Sequence, residues 1–352
     1  LTVNYTYDAN GNVIGKSDPL GTSTTISYDA SGNPLSRVDS LNQTTSFQYD
    51  TKGNLIKTTN PLGGITTITY DARGLPLTVT DANGRTTTSV YDAAGNLVRV
   101  TDALNHTTLY TSDGAGRKLT AKDALNRVTT YTYDQNDRIL SVTDAAGKTV
   151  ASTYDGNGNK LTATDRRGNT TSFTYDVKDL LVTSTDALGN GMTSAYDALD
   201  QKIRGVDARG GITRYAYDAV GNLLAVTDPL GAETRFTSDA NGNRITATTP
   251  LGQTATFTYD ALNRLVQASD PLGNAIKTEY DRLNRQTKVT DANNNSTTFV
   301  YDALGRLTKV TDAAGGTMTY TYDAVGNRTA MTDPNGRATT YTSDALNRLV
   351  QV

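Results

Sequence analysis

At 352 residues the chain has the length of about two ordinary domains, yet one short unit recurs throughout it. Cysteine is absent and histidine occurs once, at His106, which excludes disulfides, thiolate metal centres and histidine clusters. Charged residues make up 20% of the chain and nearly balance, at a net charge of -3, so the sequence carries neither a nucleic-acid footprint nor a basic membrane-surface helix. No apolar run approaches the roughly 18 residues of a membrane span, and no charged and apolar leader follows Leu1.

Of the 36 acidic residues, glutamate supplies Glu233 and Glu279 and aspartate the rest, while the aromatics are 20 Tyr and 5 Phe. Aspartate favours turns and caps, whereas glutamate favours helices. The composition is therefore that of strands and turns.

The unit first shows at Tyr7 and Asp8. It returns at Tyr28 and Asp29, Tyr49 and Asp50, Tyr70 and Asp71, and so on every 21 residues through Tyr217 and Asp218 to Tyr322 and Asp323. Ser112, Ser238 and Ser343 replace the tyrosine without shifting the frame, which holds from Asp8 to Asp344. The expected organisation is a single array over residues 1–352, about 16–17 repeats, incomplete at both ends as in a segment of a longer array.

Each unit carries two turn signals. The first is an aspartate with a Gly, Asn or Asp three residues on: Asp8 with Gly11, Asp29 with Gly32, Asp50 with Gly53, Asp218 with Gly221. The second follows ten residues later: Asp18 with Gly21, Asp228 with Gly231, with Asn60 and Thr249 as the exceptions at the aspartate position. Asp-x-x-Gly signals a type I turn, and a type I turn followed by a left-handed residue is a common hairpin connection. Gly, Asn and Asp accept that conformation at least cost. Every aspartate falls on one of the two turns, leaving none for a separate active site.

Between the turns run strands of about six residues, Asn12 to Ser17 and Thr22 to Tyr28 in the first unit. Every ring falls in the phase of Tyr5 or Tyr7, and residues two apart in a strand share a face. All the aromatics are therefore expected on one face of one sheet. The aliphatic phase of Leu35, Ile56, Leu77 and Val98 follows the same alternation, and the intervening positions, such as Thr25 and Ser27, are polar and expected to be wet. Apolar spacing of two excludes a helix, and the leucine-rich repeat frame is absent. The fold class is all-β: tandem 21-residue β-hairpins in a long antiparallel ribbon. Open twisted sheets rarely pass about 10 strands without curling, so the ribbon is expected to spiral into a hollow shell or tube, aromatic face inward.

Asp8 to Asn12 resembles the opening of a calcium loop, but Pro19 stands where an EF-hand needs its bidentate glutamate. Turn chemistry accounts for the motif, and no metal or cofactor is expected beyond a weak cation effect from rows of aspartates. The tyrosines could offer a carbohydrate surface; the preferred reading is a structural ladder of same-face pairs. His106 reads as a solvated residue. The Ser-Asp units read as drift in one repeat, with contacts between neighbouring coils as the alternative.

The run Tyr5-Thr6-Tyr7-Asp8-Ala9-Asn10-Gly11-Asn12, with Asp18-Pro19-Leu20-Gly21 after it, resembles the YD-repeat or RHS-repeat pattern, and recurs at Tyr215-Ala216-Tyr217-Asp218 with Asp228-Pro229-Leu230-Gly231. The resemblance covers the whole chain. It implies a β-ribbon spiralling into a hollow cocoon, as in RHS polymorphic toxins, the toxin shell of Tc complexes and teneurin-like YD shells, and an extracellular or cell-surface location. It further implies a non-enzymatic wall that encloses or conveys a protein cargo. An extracellular fibre or adhesin, with copies of itself or a cell-surface glycan as partner, is the alternative. The repeats run to Val352, so no protease or toxin segment is assigned.

Overall fold

The computed structural model describes residues 2–352. Among them every regular element is a strand. Thirty-three strands form one antiparallel sheet, and Thr342–Ser343 pairs with Leu349–Gln351 as a separate hairpin. Strands join their chain neighbours: Val128–Tyr133 pairs with Ile139–Thr143, which pairs with Thr149–Tyr154. Among the described residues the end strands of the sheet, Asn4–Tyr7 and Ala338–Thr340, are joined on one side each, so the sheet is not closed as a barrel.

The turns explain why the chain reverses so regularly. From Asp8 to Asp344 each turn closes with the same two backbone bonds, as when Gly53 N–H donates to Asp50 O at 3.1 Å and Asp50 N–H donates to Asn54 O at 2.9 Å. The fourth residue of each turn is left-handed, with φ between 60 and 103°. These are type I turns completed by a left-handed residue.

The two hairpins of a unit differ in register. Across the second turn the pairing is unbroken: Lys57 faces Thr67, Thr58 faces Thr66 and Thr59 faces Ile65. Across the first turn it slips by one: Tyr131 faces Val142 and Thr132 faces Ser141, but Tyr133 faces Ile139. Leu140 is the extra residue. Such a bulge bends its strand and increases its twist, so every unit bends in the same sense at the same place.

Opposed residues in an antiparallel pair share a face. The face of Tyr131 and Tyr133 therefore carries Leu140 and Val142 on one side and Ala121 on the other. In strands such as Ser23–Tyr28 this face is half-buried, while Ser23, Thr25 and Ser27 are exposed. The exposed face is laced by hydroxyl pairs, such as Thr69 with Thr78 at 2.6 Å and Thr153 with Thr162 at 2.7 Å. No side chain among the described residues is fully buried. The wall is one sheet thick, so its units are held by links to their neighbours, as in other repeat arrays.

The strands group into two compact units. One runs up to His106 and resumes from Phe257 to Val352; the other is Thr107–Thr256. Inside the first unit its two stretches of ribbon meet edge to edge. Ser40 Oγ donates to Arg282 O at 3.1 Å, Asn83 Nδ2 donates to Asp323 Oδ2 at 3.0 Å, and Arg85 donates to Asn347 Oδ1. Second turns of the early repeats thus face first turns of the late ones, 242 residues apart at Ser40 and 240 at Asn83.

Candidate functional site

The aspartates singled out by the sequence each tie their own turn. Asp8 Oδ1 accepts from the backbone N–H of Asn10 and of Asn12, both at 2.9 Å, and Asn12 Nδ2 donates to Oδ2 at 2.9 Å. Asp29 is bound the same way by Ser31 and Asn33, Asp50 by Lys52 and Asn54, and Asp218 by Val220 and Asn222. The side-chain amide, seconded by the backbone N–H groups, holds these four carboxyls below the usual range. In the second turns, Asp18 accepts from Leu20 and Thr22, and Asp228 from Leu230 and Ala232. Burial pushes Asp18 up, but the Thr22 hydroxyl and the backbone donors outweigh it and leave it lowered. The following residues, Gly11, Gly21, Gly32, Gly53, Gly221 and Gly231, have φ from 74 to 96°.

These carboxylates point back into their own turns, with donors from the same loop on their oxygens. Among the described residues no group of three or more His, Asp or Glu side chains gathers as it would round a metal ion.

In most units the tyrosine before the first-turn aspartate hooks the preceding hairpin; Tyr49 and Tyr91, with Pro34 and Pro76 fifteen residues back, are exceptions. Tyr28 Oη donates to Val13 O at 2.9 Å, Tyr70 to Leu55 O at 2.8 Å, Tyr217 to Lys202 O at 3.0 Å and Tyr322 to Leu307 O at 2.7 Å, always fifteen residues back. The acceptor lies at the bulge, where a carbonyl is free of the ladder. Tyr7 stands exposed on the first strand. Burial, reinforced by the charge of Asp29, pushes the Tyr49 hydroxyl up; burial does the same to Tyr217, helped by Tyr215 and Asp197.

One class of residue escaped the sequence reading: the position four after the first-turn aspartate. In five of the six repeats where it is arginine it makes three links at once. Arg285 Nε donates to Asp281 Oδ2 at 2.7 Å, its Nη1 donates to Asp302 O in the next turn at 3.2 Å, and its guanidinium lies 4.7 Å from the centre of the Tyr301 ring. Arg117, Arg138, Arg264 and Arg306 repeat the pattern on Tyr133, Tyr154, Tyr280 and Tyr322. The signal is a preference at that phase for Asn or Arg, with Leu75, Leu180 and Gln201 as the exceptions. Asparagine satisfies the same carboxylate oxygen; arginine does so and reaches the next repeat as well.

Two of the three Ser-Asp units set a long cation opposite the serine. Ser112 faces Lys118, whose ammonium lies 4.7 Å from the Tyr110 ring, and Ser238 faces Arg244, whose guanidinium lies 3.9 Å from the Phe236 ring. In both the long cation covers the remaining ring, as Arg328 covers Tyr320 opposite the intact Tyr322, whereas Ser343 faces Leu349. His106 is 52% exposed, its Nδ1 lying 3.2 Å from Asp102 Oδ2. It occupies the turn position held elsewhere by Thr22 or Arg127.

On the ring face, Ser184, Ser194 and Gly205 stand where other repeats carry larger groups, leaving an open hollow bordered by Met192 and Tyr215. It holds no charged cluster and no nucleophile paired with a base.

The family model for the RHS Repeat matches residues 7–41, 28–65, 70–111, 113–149, 154–190, 196–236, 239–275, 280–317 and 319–352. Among solved structures, the chain is similar to a Photorhabdus luminescens Tc holotoxin pore bearing a TccC3 mutation, at 18% identity and a TM-score of 0.79, over 99% of this chain and 22% of that one. Crystal structures of TcdB2-TccC3-TEV and TcdB2-TccC3 match at 18% identity and a TM-score of 0.64, again over 99% of this chain and over 24% and 25% of theirs. The chain thus spans a quarter or less of these neighbours, and at such identities the likeness is one of fold. No curated protein matches it. The chain belongs to the RHS repeat family.

Proposed function

We propose that this member of the RHS repeat family is a non-enzymatic wall: a stretch of secreted or cell-surface β-shell that encloses or conveys a protein cargo, toxin included. Residues 1–352 act in it as one array, spiralling with the ring-bearing face inward. The observation that carries the reading is the fold likeness to the Tc holotoxin pore structure over 99% of the chain. A one-layer sheet with bends repeated at every bulge suits a wall and leaves little in which to build a reaction pocket. In this reading Tyr7, Tyr28, Tyr49 and Tyr217 and the turn aspartates and glycines serve as structure, setting the spacing and curvature of the wall. Copies of the chain forming a fibre or adhesin is the second reading, favoured by a frame that never gains or loses a residue.

Electron microscopy of the intact protein, combined with limited proteolysis, tests the proposal. A hollow particle holding a polypeptide that resists protease until the wall is opened supports it. A filament without enclosed density overturns it in favour of the fibre.

A further inference from the structure

The strands keep the two signs of charge apart. Every aspartate lies in a turn, and the two strand acids, Glu233 and Glu279, stand in the phases of Ser23 and Ser27 on the hydroxyl face. The ring face therefore carries cations and no acid along its strands. Those cations are ordered. In the unit Thr107–Thr256, Lys118, Lys160, Lys202 and Arg244 recur in every second repeat. Ile139, Leu181 and Leu223 hold the same position in the repeats between them.

Each of these residues opens a strand opposite the residue before a first-turn aspartate. Lys118 faces Ser112, Ile139 faces Tyr133, Lys160 faces Tyr154 and Leu181 faces Tyr175. Opposed residues share a face, so they form one row along the ring side, cation and aliphatic in alternation. The cations have rings near them rather than carboxylates. Lys118 Nζ lies 4.7 Å from the centre of the Tyr110 ring, and Lys202 Nζ lies 6.0 Å from that of Tyr215. Among the described residues Lys118, Lys160 and Lys202 enter no ion pair. A ring steadies a cation but leaves its charge uncancelled. The hollow of about 270 Å³ lined by Ser184, Ser194 and Gly205 lies on this row, bordered by both Leu181 and Lys202. Asp207 at its rim is engaged by its own turn, through the N–H groups of Arg209 and Gly211.

We infer that the ring face of Thr107–Thr256 is a docking track for a polypeptide segment that alternates acidic and apolar side chains. Charge complementarity and spacing name this occupant. Strands about 4.8 Å apart put successive positions of the row about 10 Å apart, which an extended segment covers in about three residues. An acid and a large apolar residue at that interval set each carboxylate beside a cation and each apolar group on an aliphatic, with one ring seated in the hollow. A nucleic acid strand is charged at every unit and would lay charge on Ile139, Leu181 and Leu223. On the wall reading, on which this last step rests, the segment belongs to the enclosed cargo.

Fluorescence anisotropy of a labelled peptide, three copies of Glu-Gly-Ser-Phe-Gly-Ser, titrated with the purified chain tests the track. Saturable binding is expected, weakened by salt and about tenfold or more tighter than for peptides with Lys in place of Glu or Ser in place of Phe. Lys160→Glu/Lys202→Glu is expected to weaken it by about tenfold or more. Arg204→Glu/Arg214→Glu makes the same charge change on the opposite face of the same ribbon and is expected to leave binding as it was. Ser194→Phe fills the hollow with a ring that Phe173 and Phe236 already carry at that phase, and is expected to weaken binding. Circular dichroism checks the fold, and Lys160→Leu/Lys202→Leu serves if charge reversal disturbs it, since Leu181 and Leu223 stand at the same position. A wild type that ignores the peptide overturns the track, even if the particle is hollow and the wall reading stands. So does a lysine peptide bound equally well, a ring-face variant that binds like the wild type, or a single-stranded oligonucleotide or heparin that binds more tightly than the peptide. A filament that binds the peptide keeps the track and removes the cargo.

Discussion

The hydroxyl of Tyr301 donates to the carbonyl oxygen of Gln286 at 2.9 Å, while the neighbouring Arg285 covers its ring from 4.7 Å. Consecutive residues of one hairpin thus grip the tip and the face of a ring from the next. Tyr301→Phe keeps the ring and removes the tip bond. It should cost about 0.5–1.5 kcal/mol, the usual net worth of a hydrogen bond. Equilibrium urea unfolding measures the loss, and amide exchange should rise first around Gln286.

Arg285 acts through its fork, so a lysine cannot replace it. Arg285→Lys keeps the charge but loses the simultaneous bonds to Asp281 and Asp302. A double-mutant cycle of Arg285→Ala with Tyr301→Leu should give a coupling of about 0.5–1 kcal/mol from the cation–ring contact. Additive losses would show that the two side chains act independently.

Ser238 marks a unit without the hook. Ser238→Tyr places a hydroxyl at the phase where others reach fifteen residues back, here to Leu223 O, and should stabilise the array by about 1 kcal/mol. Arg244 can keep its place over Phe236, as Arg328 does over Tyr320 opposite the hooked Tyr322. A drop in the urea midpoint would overturn this.

Gly168 is left-handed at φ 87°, with open space where a Cβ would stand. Strain alone therefore sets the cost of replacing it. Gly168→Asn should be nearly neutral, since Asn42, Asn126 and Asn294 hold the same position at φ 61 to 64°. Gly168→Val should cost about 1–2 kcal/mol. Thermal melts of the pair give the difference directly.

Acid should loosen the ribbon. Asp50, Asp165 and Asp218 are held low by the side-chain amides of Asn54, Asn169 and Asn222, then by backbone donors. A carboxyl lowered in the folded state contributes stability above its ordinary value, about 3.9, and loses it as pH falls through the folded value. Urea midpoints should hold steady near neutrality and fall below about pH 4. Because many turns protonate over the same interval, the fall should be steep. A flat profile down to about pH 2 would show that these bonds do not contribute.

The hairpins were legible in the sequence because each is local: Asp50 and Gly53 need nothing beyond their own turn to declare it. Same-face rings followed from strand alternation, as Tyr131 and Tyr133 show. The hook from Tyr217 to Lys202 was not legible, since a backbone carbonyl leaves no mark in side-chain identity. The Arg285 staple left a mark that only spacing between neighbouring units could explain. Nor could any local pattern bring Ser40 to Arg282, because that contact depends on curvature accumulated over many bulges.

The absence of fully buried side chains among the described residues carries a mechanical consequence. A ribbon with no interior to rupture offers no single point of failure. Pulled from its ends it should peel one hairpin at a time, each event freeing 21 residues and about 70 Å of slack. The hooks and staples then act as a row of small, similar catches, and the ribbon gives way gradually under load.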